Sequence, residues 1–239
     1  MVQSTHAVLR NALESAVREE VPRNVAKLVQ VTAPRYTVNR GLSIIQTRRV
    51  LKAAKADRLY ALYVLALCLG LRRGELLGLR WEDIDLGSGT LEVVQALQRV
   101  GGALQFVRPK TEDSARTVPL PPLCIDALRE HRRRQFTERA DAWPNWQENG
   151  LVFPTRIGTP MEPDSLRRSC IRTDAGLTGT RFHDTRHTCV SLLLHLGVAP
   201  DMVREIVGHS DIEVTMTIYA HTSLDEKRRA LGKLGDALA

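Results

Sequence analysis
Arg72, Lys110, His183, Arg186, His209 and Tyr219 offer five nitrogen donors and one phenolic oxygen from separate stretches of a basic chain. Such a set suits a phosphodiester. Two guanidiniums can grip its non-bridging oxygens through forked hydrogen bonds and stabilise the added charge of a pentacoordinate transition state. A tyrosine hydroxyl titrates near pH ~10 in isolation, so Tyr219 needs neighbouring cations and a base before it can attack at neutral pH. His183 is the candidate to take that proton, and Lys110 the candidate to protonate the departing sugar oxygen. Glu75 lies three residues past Arg72, where it can brace the guanidinium. Taken singly, each residue has a plainer reading: a lysine in a turn is usually a solubilising charge, and a tyrosine is usually a packing residue.

The elements that must position these groups are read from periodicity and capping. Ser43 caps a helix running to Lys55, and residues 56–69 are apolar nearly all round, the pattern of a central buried helix that ends just before Arg72. Residues 81–89 read as a turn-rich link. Three strands follow, at 90–97, 103–108 and 116–120. Gly101 and Gly102 make the first hairpin turn, and the second, at 110–115, presents Lys110 at its tip. Pro122 opens a helix to about Arg139 with Arg129, Arg132, Arg133 and Arg134 along it. A loop spans 141–150, residues 151–154 are briefly extended, and Pro163 starts another helix to about Thr173.

A further helix begins around His183 and stops at Gly197, with His183 and Arg186 on one face at its positive end. Pro200 begins the helix that ends at Gly208. After His209, Ser210 and Glu213 form a capping box for a helix that carries Tyr219 near its end, and Ser223 with Glu226 caps a last helix toward Leu238. At the other end of the chain, residues 5–20 carry an apolar helical stripe that needs a covering surface. Asn24 to Val29 can form a short helix, and residues 33–40 read as a linker. About thirty residues cannot build a core alone, so residues 1–32 are either the tail of a further domain or a helix docked on the one large domain at 41–239.

Composition agrees with a polyanionic partner: 34 Lys and Arg against 27 Asp and Glu leave a net charge of +7 over 239 residues. Cys68, Cys124, Cys170 and Cys189 lie far apart with no CxxC pair, as reduced core thiols do. The longest apolar run, Leu59 to Leu71, is too short to span a bilayer, and no secretory leader pattern is present, so a cytoplasmic protein is expected.

Five motifs in order complete the reading: Gly70-Leu-Arg-Arg-Gly-Glu75, Pro109-Lys-Thr-Glu-Asp-Ser-Ala-Arg-Thr-Val-Pro-Leu120, His183-Asp-Thr-Arg-His187, Val207-Gly-His-Ser-Asp211 and Thr217-Ile-Tyr-Ala-His221. Their order, with His209 ten residues before Tyr219, resembles the tyrosine recombinases of the phage integrase family over residues 40–225. The resemblance implies a mainly helical fold with a small antiparallel β-sheet, the DNA breaking and rejoining catalytic fold. It implies that Arg72 and Arg186 grip the phosphate and Lys110 is the general acid. His183 would then accept the proton, His209 bond the phosphate, Glu75 support Arg72, and Tyr219 act as the nucleophile. The implied reaction is site-specific DNA recombination through a 3′-phosphotyrosyl intermediate, for integration or excision of a mobile element. That bond conserves the phosphodiester energy, so neither nucleotide hydrolysis nor a metal or other cofactor is called for.

The implied partners are double-stranded DNA carrying attachment or core sites, further copies of the chain in a synaptic tetramer joined through residues 220–239, and accessory DNA-bending or directionality factors. Relatives also carry a full helical core-binding domain, of which residues 1–32 match only the last part; the chain is therefore expected to bind DNA more weakly and with greater salt sensitivity than a complete clamp. Three other readings compete. The His183 and His187 spacing suggests a helical zinc site, but Asp184 stands where a glutamate would be needed and no third ligand is evident. A non-catalytic DNA-binding remnant would need basic residues but no placed tyrosine. A type IB topoisomerase would share the phosphotyrosyl chemistry without exchanging partners; His209 in its Gly-His-Ser-Asp setting favours the recombinase.

Overall fold
A computed structural model describes residues 2–18, 22–29, 41–108, 115–168 and 182–208. Lys110, His209 and Tyr219, the linker at 33–40 and the C-terminal helices expected beyond Ser210 lie outside the described residues. Two units divide the chain, Met1–Val38 and Asn39–Ala239.

In the first unit, α1 (Val2–Val17) is followed by a 3-10 turn (Val25–Leu28) that Asn24 caps. The Asn24 side-chain amide also donates to the Arg10 carbonyl (2.7 Å) and to Glu14 (2.9 Å), and Lys27 pairs with Glu14 at 2.8 Å. This is a polar clasp rather than a core. Val8 and Leu9 remain exposed, so the apolar stripe expected on this helix is left largely uncovered.

The second unit is built on α3. Ser43 and Gln46 form a reciprocal capping box that starts α2 (Ile44–Ala54), and α3 (Tyr60–Leu69) follows. Because α3 is apolar on every side it is covered on every side: α2, α4 (Arg73–Gly78), α5 (Pro122–Asp141) and α6 (Asp184–His195) all pack on it. Leu62, Val64, Leu65 and Ala66 are wholly buried there. A smaller cluster of Cys189, Val190, Val203 and Val207 joins α6 to α7 (Pro200–Val207). Of the cysteines, Cys124 and Cys189 are buried free thiols and Cys68 is half-buried. Among the described residues, no helix is long and apolar enough to cross a membrane.

The strands depart from the expected succession of hairpins. The segment expected as one strand over 90–97 is broken: β2 (Thr90–Val93) and β3 (Ala96–Val100) belong to different sheets. Between them Gln95 turns its amide onto the Gly78 carbonyl at 2.7 Å. The three-stranded sheet has the order β1 (Ile84–Asp85), β2, β5 (Arg116–Pro119), all antiparallel, with Leu91 opposite Val118 and Val93 opposite Arg116. The two-stranded sheet pairs β3 with β4 (Ala103–Val107), Val100 opposite Ala103, and has the expected turn at Gly101 and Gly102.

Among the described residues β4 and β5 are therefore not paired; the connection between them, which contains Lys110, links strands of different sheets. Burial explains the choice. Leu91, Val93 and Val118 form a continuous core face across β2 and β5, whereas β4 is largely exposed and offers no such face. The last expected helix before residue 169 is a 3-10 turn, Pro163–Arg168.

With α3 at the centre, Leu65→Ala should lower unfolding free energy by about 2–5 kcal/mol, since no neighbouring element can close the cavity without leaving another contact. Urea denaturation followed by circular dichroism measures this; a loss under about 1 kcal/mol would mean that α3 is not the packing centre.

Candidate active site
The site starts where α3 ends. Gly70 takes a left-handed conformation (φ 62°) and turns the chain, and a Cβ there would meet Val207 at 2.9 Å and Cys189 at 3.2 Å. Only a glycine lets α6 and α7 come this close to the turn. Arg72 follows in extended conformation as the residue before α4, and Glu75 reaches back to it twice. The carboxylate accepts the Arg72 backbone N–H at 2.9 Å and the guanidinium Nη1 at 2.7 Å. A carboxylate in the first turn also suits the positive end of α4.

Glu75 is buried, and its remaining capacity is taken by Arg116, the first residue of β5. The Arg116 Nη2 donates to Oε2 at 3.1 Å and the Arg116 Nη1 to Oε1 at 3.5 Å. Arg116 lies within one of the five motifs but received no role from the sequence. A signal was available, because Arg116 and Val118 are two apart on one strand and so share its core-facing side. An arginine on a buried face calls for a buried carboxylate.

Arg186 enters from the first turn of α6, itself buried. Its Nη1 donates to the Gly70 carbonyl at 2.7 Å and its Nη2 to the Gly208 carbonyl at 3.1 Å. Arg72 donates to that same Gly208 oxygen at 2.6 Å. Gly208 ends α7 with φ 68°, and its carbonyl belongs to the peptide that leads into His209. Two guanidiniums from elements far apart in sequence thus converge on one backbone oxygen.

Among the described residues, Arg72 and Arg116 pair directly with Glu75, and the Glu75 charge also acts on Arg186, so three guanidiniums gather around this one carboxylate. Burial first, and then the nearby Arg72, push the Arg186 pKa down to about 9. An anion beside these guanidiniums would relieve that cost. Removal from water works against ionised Glu75, yet Arg116 and then Arg72 outweigh it and hold the carboxyl below its ordinary range.

His183 stands immediately before α6 and is exposed, with its ring edge to face against His187 at a centroid distance of 5.2 Å. Partial desolvation, then the charges of His187 and Arg186, lower its pKa, which favours the neutral imidazole that a base requires. The cleft beside Arg72 and Glu75 is rimmed by Arg73, Arg99 and Arg108. Of these, Arg73 pairs with Asp164 and Arg99 with Glu162. Of the residues predicted from sequence, Arg72, Glu75, His183 and Arg186 are brought together; Lys110, His209 and Tyr219 are outside the described residues.

The sequence profile of the phage integrase family matches residues 40–226. The chain belongs to the phage integrase family. A tyrosine recombinase XerC-like protein of Caldanaerobacter subterraneus subsp. tengcongensis is 37% identical over 205 residues, covering 80% of this chain and 52% of that protein. An integrase of Streptomyces ambofaciens is 32% identical over 234 residues, covering 91% and 59%. The chain thus spans little more than half the length of these curated relatives.

Among solved structures, the Tn1549 transposon integrase in complex with a circular intermediate DNA aligns with a TM-score of 0.81 at 22% identity, over 98% of this chain and 78% of that one. The XerA recombinase aligns with a TM-score of 0.63 at 23% identity, over 87% and 70%. This integrase-family chain has the tyrosine recombinase catalytic fold, mostly helical with small antiparallel sheets.

The folded Glu75 carboxyl titrates below its unfolded value. Its stabilising contribution is therefore complete above pH ~4.3 and is lost as pH falls through the folded pKa. Near neutrality Glu75→Gln should cost roughly 3–5 kcal/mol, because it leaves a buried guanidinium without its counter-charge. The gap between wild type and variant should then narrow on acidification below pH ~4.3. Denaturation curves across pH that stayed parallel would contradict this coupling.

Proposed function
We propose that this chain is a site-specific DNA recombinase that cleaves and rejoins duplex DNA through Tyr219. The observation that carries the proposal is the convergence of Arg72 and Arg186 on the Gly208 carbonyl, one residue before His209 in the chain. A phosphodiester bound against the two guanidiniums would meet fixed positive charge, which would stabilise the charge added on going to the pentacoordinate transition state. Family membership and the likeness to integrases solved with DNA support the same reading.

In this mechanism the Tyr219 oxygen attacks phosphorus and gives its proton to neutral His183. Lys110 protonates the departing 5′ oxygen, and His209 bonds a non-bridging oxygen. The new bond is a 3′-phosphotyrosyl linkage. A 5′-hydroxyl from the same or a partner duplex reverses the step, returning the proton to Lys110. Residues 1–32 act as the end of a core-binding domain, 33–40 as a linker and 220–239 as the segment exchanged between copies in a synaptic tetramer. Accessory DNA-bending or directionality factors would act on that assembly, in the cytoplasm or nucleoid of a bacterial host.

The test is adduct formation on a randomised library of nicked suicide duplexes in EDTA, resolved on a denaturing gel. Wild type should give a covalent protein–DNA band, Tyr219→Phe none, and Arg186→Ala a rate lower by roughly 10²–10³-fold. A band that persists in Tyr219→Phe would refute the nucleophile. Relaxation of supercoiled DNA without recombinant products would instead favour a topoisomerase.

Because the His183 pKa is lowered, the cleavage rate at subsaturating DNA should hold its plateau through pH ~6.5 and decline only below it. A midpoint at or above pH ~6.5 would remove His183 from the role of base.

A further inference from the structure
Arg116 touches both halves of the candidate site without facing its cleft. Its side chain is only 9% exposed. On one side it holds both oxygens of Glu75, the carboxylate that aims Arg72. On the other, its Nε donates to the Ile206 carbonyl at 3.1 Å, in the last turn of α7. Its guanidinium also lies flat against Gly208: a Cβ built there would come within 2.6 Å of Nη1, 2.7 Å of Cζ and 2.9 Å of Nε. Gly208 is thus a glycine for two reasons, its left-handed backbone and the guanidinium pressed against it.

We infer that Arg116 is a positioning residue: it locks the Gly208 carbonyl and the Glu75 carboxylate in register, so that Arg72 and Arg186 present their donors to one phosphate. The inference rests on the proposed DNA cleavage and assigns Arg116 no contact with DNA. Three separate stretches meet at this guanidinium. They are β5, which begins six residues after Lys110; α4, with Glu75; and the end of α7, which leads into His209. A planar fork can serve a carboxylate and a backbone carbonyl at once, whereas a lysine ammonium can reach only part of that set in one geometry. Without Arg116 the Gly208 carbonyl would be fixed against α4 by the Arg72 bond alone, and displacements of about 1 Å are enough to cost about 10²-fold in rate.

The test compares wild type, Arg116→Met, Arg116→Lys and Gly208→Ala on nicked suicide duplexes of the sequence recovered from the library. Each duplex is made in two forms, one with a normal scissile phosphate and one with a methylphosphonate there. The methylphosphonate lacks the charged oxygen that the two arginines must stabilise. Melting temperatures are recorded so that rates are compared where every variant is folded.

On the phosphate, Arg116→Met and Gly208→Ala should be slower than wild type by about 100-fold and Arg116→Lys should be intermediate. On the methylphosphonate the gap for all three should shrink below about tenfold, with DNA affinity within about twofold of wild type throughout. Equal losses on both substrates would overturn the inference and make Arg116 an ordinary buried ion-pair partner. A salt dependence of DNA binding weakened by about one counterion in Arg116→Met would also overturn it, by indicating direct phosphate contact. Failure of wild type to form any adduct on either duplex would instead sink the cleavage reading, and this inference with it.

Discussion

The buried carboxylate of Glu75 is the constraint on which the rest of the site depends. Taking a carboxylate out of water costs several kcal/mol unless its oxygens are paired, and Glu75 is paired from two directions, by Arg72 and by Arg116. Each partner arrives on a different element. Satisfying one side chain therefore requires α4 and β5 to meet in a single register, and Arg116 then carries the end of α7 with it through the Ile206 carbonyl. A shift of β5 against α4 would strip the buried carboxylate of one of its two partners in a low dielectric, a cost that favours this one register.

The positions of the arginines follow from how α3 is buried. A helix apolar all round must be enclosed, and enclosing it brings α4 and α6 to the same end, where Gly70 turns the chain. Arg72 and Arg186 therefore face each other across a turn with no Cβ. Bringing two cations together is unfavourable by itself, and here it is offset by backbone carbonyls at Gly70 and Gly208 as well as by Glu75. Carbonyl dipoles compensate only part of the charge of a guanidinium. The gathered guanidiniums therefore favour an anion at this end of α3, as the proposed reaction requires.

The same charge also acts on His183. Partial burial, with His187 and Arg186 adding to it, favours the neutral imidazole, so the positive charge that would grip phosphate also reinforces the protonation state required for attack in the proposed reaction. The paired rim residues differ in kind from the inner group. Asp164 and Glu162 are exposed partners for Arg73 and Arg99, and exposed pairs of this sort contribute little to stability and exchange readily with other anions.

Much of this was legible in the residues alone. The all-round apolar α3, the Ser43 and Gln46 cap, the glycines that end α3 and α7, and the Arg72 to Glu75 spacing each depend on contacts within one turn or one helix, and local pattern encodes those directly. Family motifs carried the candidate chemistry for the same reason, since each motif is a short contiguous stretch. The pairing of β5 with β2 was not legible, because either hairpin satisfies the local turn signals and only the shared burial of Leu91, Val93 and Val118 selects between them. Nor was the place of Arg116, whose partners lie 41 and 90 residues away. Residue types and short spacings thus determined which groups are available; the packing of α4, β5 and α7 around one buried carboxylate decided which of them meet, because compensating that charge is a long-range requirement that no local period records.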